Sequence, residues 1–178
     1  GAEIVSNWVA ANVSAYDFHL VLAGPAVKVF RDNLGWETTL CLNELVEKCD
    51  WLLCGTSWQS KLETEAIRCF KKHRKITVAF LDHWTNYDER FILESSKILP
   101  DKIWVVDDYA LKIAKSTFDN IPISKEENFY FKKIKHQISE LGIGREIKTS
   151  ILYICEPIRE HALLQYGDER HWGYTEED

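Results

Sequence analysis

The chain has 178 residues, 46% of them hydrophobic, so it can bury one substantial core and corresponds to one domain, or to one domain and part of another. Its 22 basic and 28 acidic residues give a net charge of −6 without a basic stripe, which argues against nucleic acid as a partner. Since no apolar run approaches the ~20 residues that cross a bilayer and no signal-peptide pattern opens the chain, we expect a cytoplasmic protein without a transmembrane segment, with peripheral membrane association left open.

The cysteines and histidines do not follow the spacing of a metal motif. There is no Cys-x-x-Cys pair and no His-x-x-x-His pair. Cysteines within apolar runs usually behave as small buried hydrophobes. We therefore predict reduced thiols, no metal and no cofactor. The cysteines concerned are Cys41, Cys49, Cys54, Cys69 and Cys155.

The chain opens with apolar residues at helical spacing, which predicts a helix over Glu3 to Val13. Because the first helix of an α/β domain normally follows a strand, we expect a short strand ahead of Gly1. The continuous apolar run from Phe18 to Ala23 predicts a strand. Gly24-Pro25 then starts a helix that is expected to end near Gly35.

The same patterns continue along the chain and alternate between helix and strand. Strands are predicted over 51–54, 76–81, 103–106 and 151–155. Helices are predicted over 42–49, 61–73, 91–99, 109–118 and 125–141, with another beginning near 156–161 and a linker over 120–124. This alternation predicts an α/β, Rossmann-like three-layer domain with a mainly parallel sheet over residues 1–148. Residues 149–178 are expected to be a crossover or the start of a second domain.

A polar and aromatic stretch, Asp82 to Phe91, follows the buried strand that ends at Leu81. In an open α/β sheet, ligands bind at the carboxyl ends of the strands, so this stretch is a candidate binding loop. A structural alternative has equal weight. In that alternative Asp82 caps the turn, Arg90 pairs with Asp82 or Glu89, and the aromatic residues cover the edge of the sheet.

A second candidate is the turn from Gly55 to Ser60, between a strand and a helix. Its small hydroxyls and free amides suit an anion or a sugar hydroxyl, although ordinary helix capping explains the same residues. Glu63 follows in the first helical turn. It either balances the helix dipole or projects a carboxylate towards the same edge of the sheet as His83.

Several motifs follow one another along the chain. They are Gly55-Thr56-Ser57-Trp58-Gln59-Ser60 with Glu63, Asp82-His83-Trp84 with Asn86-Tyr87 and Arg90-Phe91, Leu99-Pro100-Asp101-Lys102-Ile103-Trp104-Val105, Tyr153 to Glu156 with His161, and Tyr166-Gly167-Asp168 with Trp172-Gly173-Tyr174. Together they resemble a family of bacterial proteins that is associated with surface-polysaccharide biosynthesis and is similar to GT-B glycosyltransferases. The likeness covers most of Asp17 to Glu176.

The resemblance implies that this chain is the first, acceptor-side domain of two facing Rossmann-like domains, with residues 151–178 crossing into the second. A nucleotide sugar and a saccharide acceptor are then the expected substrates. These residues contain no nucleotide-binding signature of a second domain, so activity of the chain alone is not implied.

For the chemistry of sugar transfer, His83 is the candidate general base because imidazole titrates nearest to neutral pH, and Asp82 is expected to orient it. Asp82 or Glu63 is the alternative base. Acceptor contacts are assigned to Asn86 and Arg90, and stacking on sugar faces to Trp58, Trp84 and Tyr87. Thr56, Ser57 and Glu156 complete the expected binding set.

Two other functions stay open. The chain can be a non-catalytic module that binds carbohydrate or nucleotide, in which case no protein that contains it would transfer sugar. It can also be an enzyme similar to sugar-nucleotide 2-epimerases, which share the two-domain architecture; such an enzyme would alter the sugar without needing an acceptor.

Overall fold

The computed structural model describes residues 1–37, 41–57, 60–141 and 157–177, which fall into two compact units, 1–142 and 143–178. The described helices are α1 (Ala2–Asn12), α2 (Pro25–Leu34), α3 (Leu42–Lys48), α4 (Leu62–Lys72), α5 (Asp108–Thr117), α6 (Phe129–Glu140) and, in the second unit, α7 (Ile158–Tyr166). The described strands are β1 (Trp51–Cys54), β2 (Ile76–Phe80), β3 (Ile92–Leu93), β4 (Ser96–Lys97), β5 (Lys102–Val105) and β6 (Ile123–Lys125).

Four parallel strands form the central sheet in the order β1-β2-β5-β6, which is also their order along the chain. Helices cover both faces, because the strands are apolar on both sides and must be buried on both. The sequence-based prediction of an α/β, Rossmann-like three-layer fold is confirmed. No helix in the described part of the chain is long and apolar enough to cross a membrane.

One face of the sheet lies under α1, α2 and α6 and is rich in aromatic side chains. The Trp8 ring of α1 packs 5.3 Å from the Trp104 ring and 6.3 Å from the Trp51 ring, measured between centroids. Trp8, Trp51 and Trp104 are therefore core anchors. The fully packed residues of this cluster are Val5, Trp8, Val9, Phe30 and Phe80.

The other face lies under α3, α4 and α5. Its centre is made by residues of β2, β5 and α4 that have no measurable exposure, namely Ile67, Ala79, Leu81, Ile103 and Val105. A smaller cluster beneath α3 joins Leu45 and Val46 to Phe70 of α4. The two faces together fix the positions of the strand ends.

The predicted helices at the start of the chain are confirmed. α1 matches the predicted span to within one residue at each end, and α2 begins with Pro25 and ends at Leu34, with Gly35 as a left-handed helix cap at a φ of 69°. The predicted strand over 151–155 lies outside the described residues.

The predicted strand Phe18 to Ala23 is wrong, since this segment belongs to no strand of the described sheet. Its side chains nevertheless alternate as in a strand. Phe18, Leu20 and Leu22 pack into the cluster with α1, whereas Val21 packs into the cluster with α3. The physical reason is that a strand needs a hydrogen-bonding neighbour, and a cavity lies between this segment and β1.

Two more predictions are corrected around β5. The predicted helix over 91–99 is instead a 3-10 turn, Glu89–Phe91, followed by the β3–β4 hairpin. Glu94 and Ser95 have φ values of 49° and 65°, the left-handed pair that a two-residue hairpin turn requires. The predicted linker over 120–124 contains the start of β6, which pairs with β5.

Candidate functional site

The candidate site lies at the carboxyl ends of β1, β2 and β5, where polar residues come shortly after each strand. Thr56 follows β1, Asp82 and His83 follow β2, and Asp107 follows β5. Because β1, β2 and β5 are adjacent and parallel, these ends meet at one edge of the sheet.

Arg90 joins two of these strand ends from the inside. Its side chain is only 7% exposed. Its Nη1 donates to the Thr56 carbonyl oxygen at 3.2 Å, to Thr56 Oγ1 at 3.1 Å and to Asp82 Oδ1 at 3.1 Å. Its Nε donates to the Thr85 carbonyl oxygen at 3.2 Å. The guanidinium is therefore an internal clamp between the ends of β1 and β2.

Asp82 is occupied on both carboxylate oxygens. Oδ1 accepts from Arg90, and Oδ2 accepts from the amino group of Gly1 at the start of α1. Its side chain is 20% exposed. The alternative in which Arg90 pairs with Asp82 is confirmed, and this carboxylate is held by Arg90 and the Gly1 nitrogen rather than by His83.

The segment between Asp82 and Arg90 forms an exposed loop over this buried clamp. His83, Trp84, Thr85 and Asn86 are all exposed. Asn86 has a φ of 56°, a conformation that asparagine tolerates better than most residues, and its carbonyl oxygen accepts from the Arg90 amide at 3.3 Å. This turn directs the chain back into the core.

Trp84 and Tyr109 form an aromatic pair on the surface, which we call the aromatic platform. Trp84 is 53% exposed and Tyr109 63% exposed. Their rings meet edge to face at 89° with centroids 5.7 Å apart. Trp84 Nε1 donates to Asp107 Oδ2 at 3.1 Å, while Asp107 Oδ1 accepts from the Ala110 amide at 2.7 Å and caps α5. One carboxylate therefore fixes both the helix start and the indole.

His83 lies beside this platform, with its ring centroid 6.4 Å from that of Trp84. Its Nδ1 is 3.2 Å from Thr85 Oγ1. Nε2 has no hydrogen-bond partner within the described ranges of the chain. The geometry thus leaves one imidazole nitrogen for a ligand hydroxyl, and it is Thr85 that orients the ring.

Tyr87 points the opposite way, into the core. It is 4% exposed and stacks on Phe118 with centroids 6.2 Å apart and planes at 10°. Its hydroxyl has no hydrogen-bond partner among the residues that the structure describes. Burial, followed by the charge of Asp107, raises the pKa of Tyr87 to about 12. Together with Arg90, Tyr87 supports the loop from below.

Glu63 lies elsewhere, in the first turn of α4. Its Oε2 is buried and has no hydrogen-bond partner among the described residues. Burial raises the pKa of the neighbouring Cys54 thiol far above its usual range, and the Glu63 charge raises it further. Glu63 lines a cavity of about 740 Å³ together with Ser57 and Ser60.

The sequence-predicted site residues therefore separate into two places. His83, Trp84 and Asn86 share the exposed loop after β2, whereas Ser57 and Glu63 line the cavity beside β1, and His83 is not part of that lining. Trp58 and Glu156 lie outside the described residues. In the described part of the chain, no group of three or more His, Cys, Asp or Glu side chains is placed to hold a metal ion.

The sequence did not identify Asp107 and Tyr109 as members of the site. Their position at the turn from β5 into α5 was the available signal, because neighbouring parallel strands bring their carboxyl ends together. No family model, curated protein or solved structure matches this chain.

Proposed function

We propose that this chain is the acceptor-side domain of an enzyme that transfers a sugar from a nucleotide sugar to a saccharide acceptor. The observation that carries the proposal is the aromatic platform beside His83 at the carboxyl edge of the sheet. The motif resemblance to GT-B glycosyltransferases supplies the reaction class. The donor nucleotide sugar is assigned to a second domain of the same architecture.

The platform suits a sugar because an exposed indole offers an apolar face beside polar atoms. Sugar rings present C–H groups on their faces and hydroxyls around their rims, so they combine stacking with hydrogen bonding. Asp107 holds the Trp84 indole in place through Nε1. A fixed ring loses little conformational freedom when a ligand binds, which favours affinity.

We propose that His83 acts on an acceptor hydroxyl at this platform. In the neutral tautomer whose Nδ1–H donates to Thr85 Oγ1, Nε2 is the proton acceptor, and the acceptor hydroxyl would reach it at about 3 Å. In this proposal Nε2 takes the hydroxyl proton while the acceptor oxygen bonds to the anomeric carbon and the nucleoside diphosphate leaves. Asp82 takes no part in proton transfer, since it is paired with Arg90.

A second candidate, a non-catalytic carbohydrate-binding module, is favoured by one specific observation. Both carboxylates of the edge are already engaged, Asp82 by Arg90 and Asp107 by Trp84 and the start of α5. A binding module needs only the platform and neutral hydrogen-bonding groups. The two candidates share a ligand class and differ in whether His83 is needed for turnover.

Binding is tested by titrating the chain with neutral sugars, acidic sugars and nucleotide sugars while tryptophan fluorescence is recorded. Trp84→Ala should weaken saccharide binding by about tenfold, the ~1.4 kcal/mol upper range of an aromatic contact. Trp172→Ala is the matched control, because it removes an indole that is 42% exposed in the other unit. Equal affinity in the two variants would reject the platform as the binding surface.

Turnover is tested in the full-length protein that carries this chain, as nucleotide release that depends on an added acceptor. His83→Gln should lower kcat by at least about 100-fold with little change in the KM for the acceptor. Intact binding with no transfer by the unmodified protein would select the binding module. Altered sugar without any acceptor would select an epimerase.

A further inference from the structure

A cavity of the first unit lies between β1 and the irregular segment 17–23. We call it the strand slot. Its volume of about 740 Å³ is far more than a packing defect. It is lined along one side by Trp51 to Thr56 and along the other by Asp17 to Ala23. The slot therefore runs lengthwise along β1.

The two walls present their side chains in matching patterns. On the β1 wall, Trp51 and Leu53 pack into the cluster with α1, and Leu52 packs into the cluster with α3. On the opposite wall, Leu20 packs with α1 and Val21 packs with α3. The side chains of these two segments pack against the same two helix layers, and a gap lies between the segments. This is the geometry of a sheet from which one strand is absent.

The volume of the slot is close to that of one short strand. A residue in a buried strand occupies ~3.3 Å along the chain, ~4.8 Å across the sheet and ~10 Å between layers, or roughly 160 Å³. The measured volume of about 740 Å³ thus corresponds to about five residues. β1 itself has four residues and is the edge strand of the described sheet.

The side chains on the two helix-facing sides of the slot determine which residues its occupant can carry. Val9 and Phe30 line it from the α1 and α2 side, and Leu45 and Phe70 line it from the α3 and α4 side. Successive side chains of a strand point to opposite faces, so both sets of side chains would meet apolar groups. The occupant is therefore apolar where these side chains line the slot, as is usual for the interior of a parallel sheet, whereas Ser57, Ser60 and Glu63 give the slot a polar part.

The start of α1 determines the direction of the occupant. Gly1 lies at the carboxyl end of the slot, and its amino group bonds to Asp82. A Cβ atom on Gly1 would lie 3.6 Å from Asp82 Oδ2 and 3.7 Å from the Thr56 carbonyl oxygen. A chain that enters Gly1 from the slot runs towards the same edge as β1 and β2. It is parallel to them and forms a strand–helix unit with α1.

We infer that the strand slot takes one further parallel β-strand of about five apolar residues, joined at its carboxyl end to Gly1. This strand pairs with β1 on one side and gives the 17–23 segment a hydrogen-bonding neighbour on the other. The sheet then has six strands. The inference depends on the cavity and its walls, not on the sugar-transfer proposal.

The test is a pair of variants that differ only in five residues added ahead of Gly1. One carries Val-Ile-Val-Val-Ile and the other Gly-Ser-Gly-Ser-Gly. The apolar variant should unfold at a temperature about 5 °C or more above that of the control, because it fills the cavity and completes the ladder. Exchange of the Trp51 to Cys54 amides that face the slot should slow by at least about tenfold.

A third variant, Val-Ile-Pro-Val-Ile, distinguishes a hydrogen-bonded strand from an apolar segment that only fills the cavity. Proline removes an N–H and is not tolerated in a central strand, so it should lose most of the gain although it remains apolar. An equal gain in all apolar variants, or no difference between the apolar and Gly-Ser variants, would overturn the inference.

Two measurements cover the remaining outcomes. If the apolar variant does not fold, the peptide Lys-Lys-Val-Ile-Val-Val-Ile-Gly is added to the unmodified chain, and slower exchange of the β1 amides supports the inference while unchanged exchange opposes it. The unmodified chain is also sedimented at two concentrations. A dimer whose β1 amides are already protected would show that a second copy fills the slot, and would overturn the inference.

Discussion

The core is closed around β2 and open beside β1, although both strands have apolar sequences. Ala79, Phe80 and Leu81 have no measurable exposure, whereas Trp51, Leu52 and Leu53 are half-buried. β2 has β1 on one side and β5 on the other, while β1 has a neighbour on one side only. Complete burial of a parallel strand therefore requires two flanking strands as well as two layers of helices.

The open and closed sides are tied together at their carboxyl ends. Arg90, from the loop on the closed side, reaches Thr56 at the end of β1 as well as Asp82 at the end of β2. The clamp holds the edge strand in register although its outer side lacks a partner. We therefore expect substitutions on the two sides and at the clamp to change the free energy of unfolding by different amounts.

Arg90→Ala is expected to have the largest effect. It leaves Asp82 and the Thr56 carbonyl without their shared donor in a site where Arg90 is only 7% exposed. Breaking one partner of a buried pair typically costs 3–5 kcal/mol, and the partial exposure of Asp82 places the expected loss near the lower end, about 3 kcal/mol. Urea unfolding of the chain measures the change.

Arg31→Ala is the matched control for Arg90→Ala. Arg31 is 55% exposed and pairs with Asp32 on the surface of α2. Its removal should change the free energy of unfolding by less than about 0.5 kcal/mol. If Arg90→Ala were as mild as Arg31→Ala, the clamp would not connect the two sides.

Matched leucine truncations test the difference between the two sides directly. Leu81→Ala empties a fully buried position after β2 and should lower the free energy of unfolding by about 3 kcal/mol. Leu53→Ala removes the same atoms from a half-buried position that already lines the strand slot, and should cost about 1 kcal/mol. Equal losses in urea unfolding would mean that the β1 side is as tightly packed as the β2 side.

Sequence patterns were sufficient to predict a helix or strand where the element is long or is apolar on both faces. The strand that became β2 and the helix that became α4 were predicted because period and composition agreed along their whole length. The hairpin was missed because its turn, Glu94-Ser95, lacks the Asn-Gly signature of a left-handed pair. β6 was missed because it has three residues and follows Pro122.

For the candidate site, the sequence predicted the loop after β2 as part of the edge, but it did not predict which loop residues face outwards or that Asp107 and Tyr109 join them. Arg90 and Tyr87 were predicted to contact the ligand because of their side-chain chemistry. They are only 7% and 4% exposed, respectively, and lie beneath the loop. The contact of Trp84 with Asp107 joins residues 23 apart in the chain. It depends on β2 and β5 being neighbours, which the local pattern around either residue does not specify.

Tyr87→Phe tests the buried Tyr87 hydroxyl on the closed side. The Tyr87 hydroxyl is buried without a hydrogen-bond partner among the described residues, so its removal should raise the free energy of unfolding at neutral pH by up to about 1 kcal/mol. The raised pKa adds a pH dependence. Because burial first, and then the Asp107 charge, lift the pKa to about 12, ionisation is harder in the folded chain than in the unfolded chain.

This contribution to stability is complete below the ordinary tyrosine pKa of about 10 and is lost as the pH rises towards 12. Tyr87→Phe should therefore make the alkaline fall in stability shallower between these pH values. Tyr109→Phe is the control, because Tyr109 is 63% exposed and its substitution should leave the alkaline slope unchanged. An identical slope for both variants would show that the Tyr87 hydroxyl reaches solvent or a partner.

Ser95→Gly is expected to have the smallest effect, at the outer hairpin of the closed side. Ser95 is exposed and has a φ of 65°, where glycine is not strained. The substitution should raise the free energy of unfolding by about 0.5 kcal/mol, since relief of the left-handed strain, ~1 kcal/mol, exceeds the entropy that glycine adds to the unfolded chain. Ser96→Gly is the adjacent control within β4 and should lower stability by about 0.5 kcal/mol. Opposite signs at two neighbouring serines in urea unfolding would confirm the left-handed turn, whereas a loss at both positions would favour the helix that the sequence predicts.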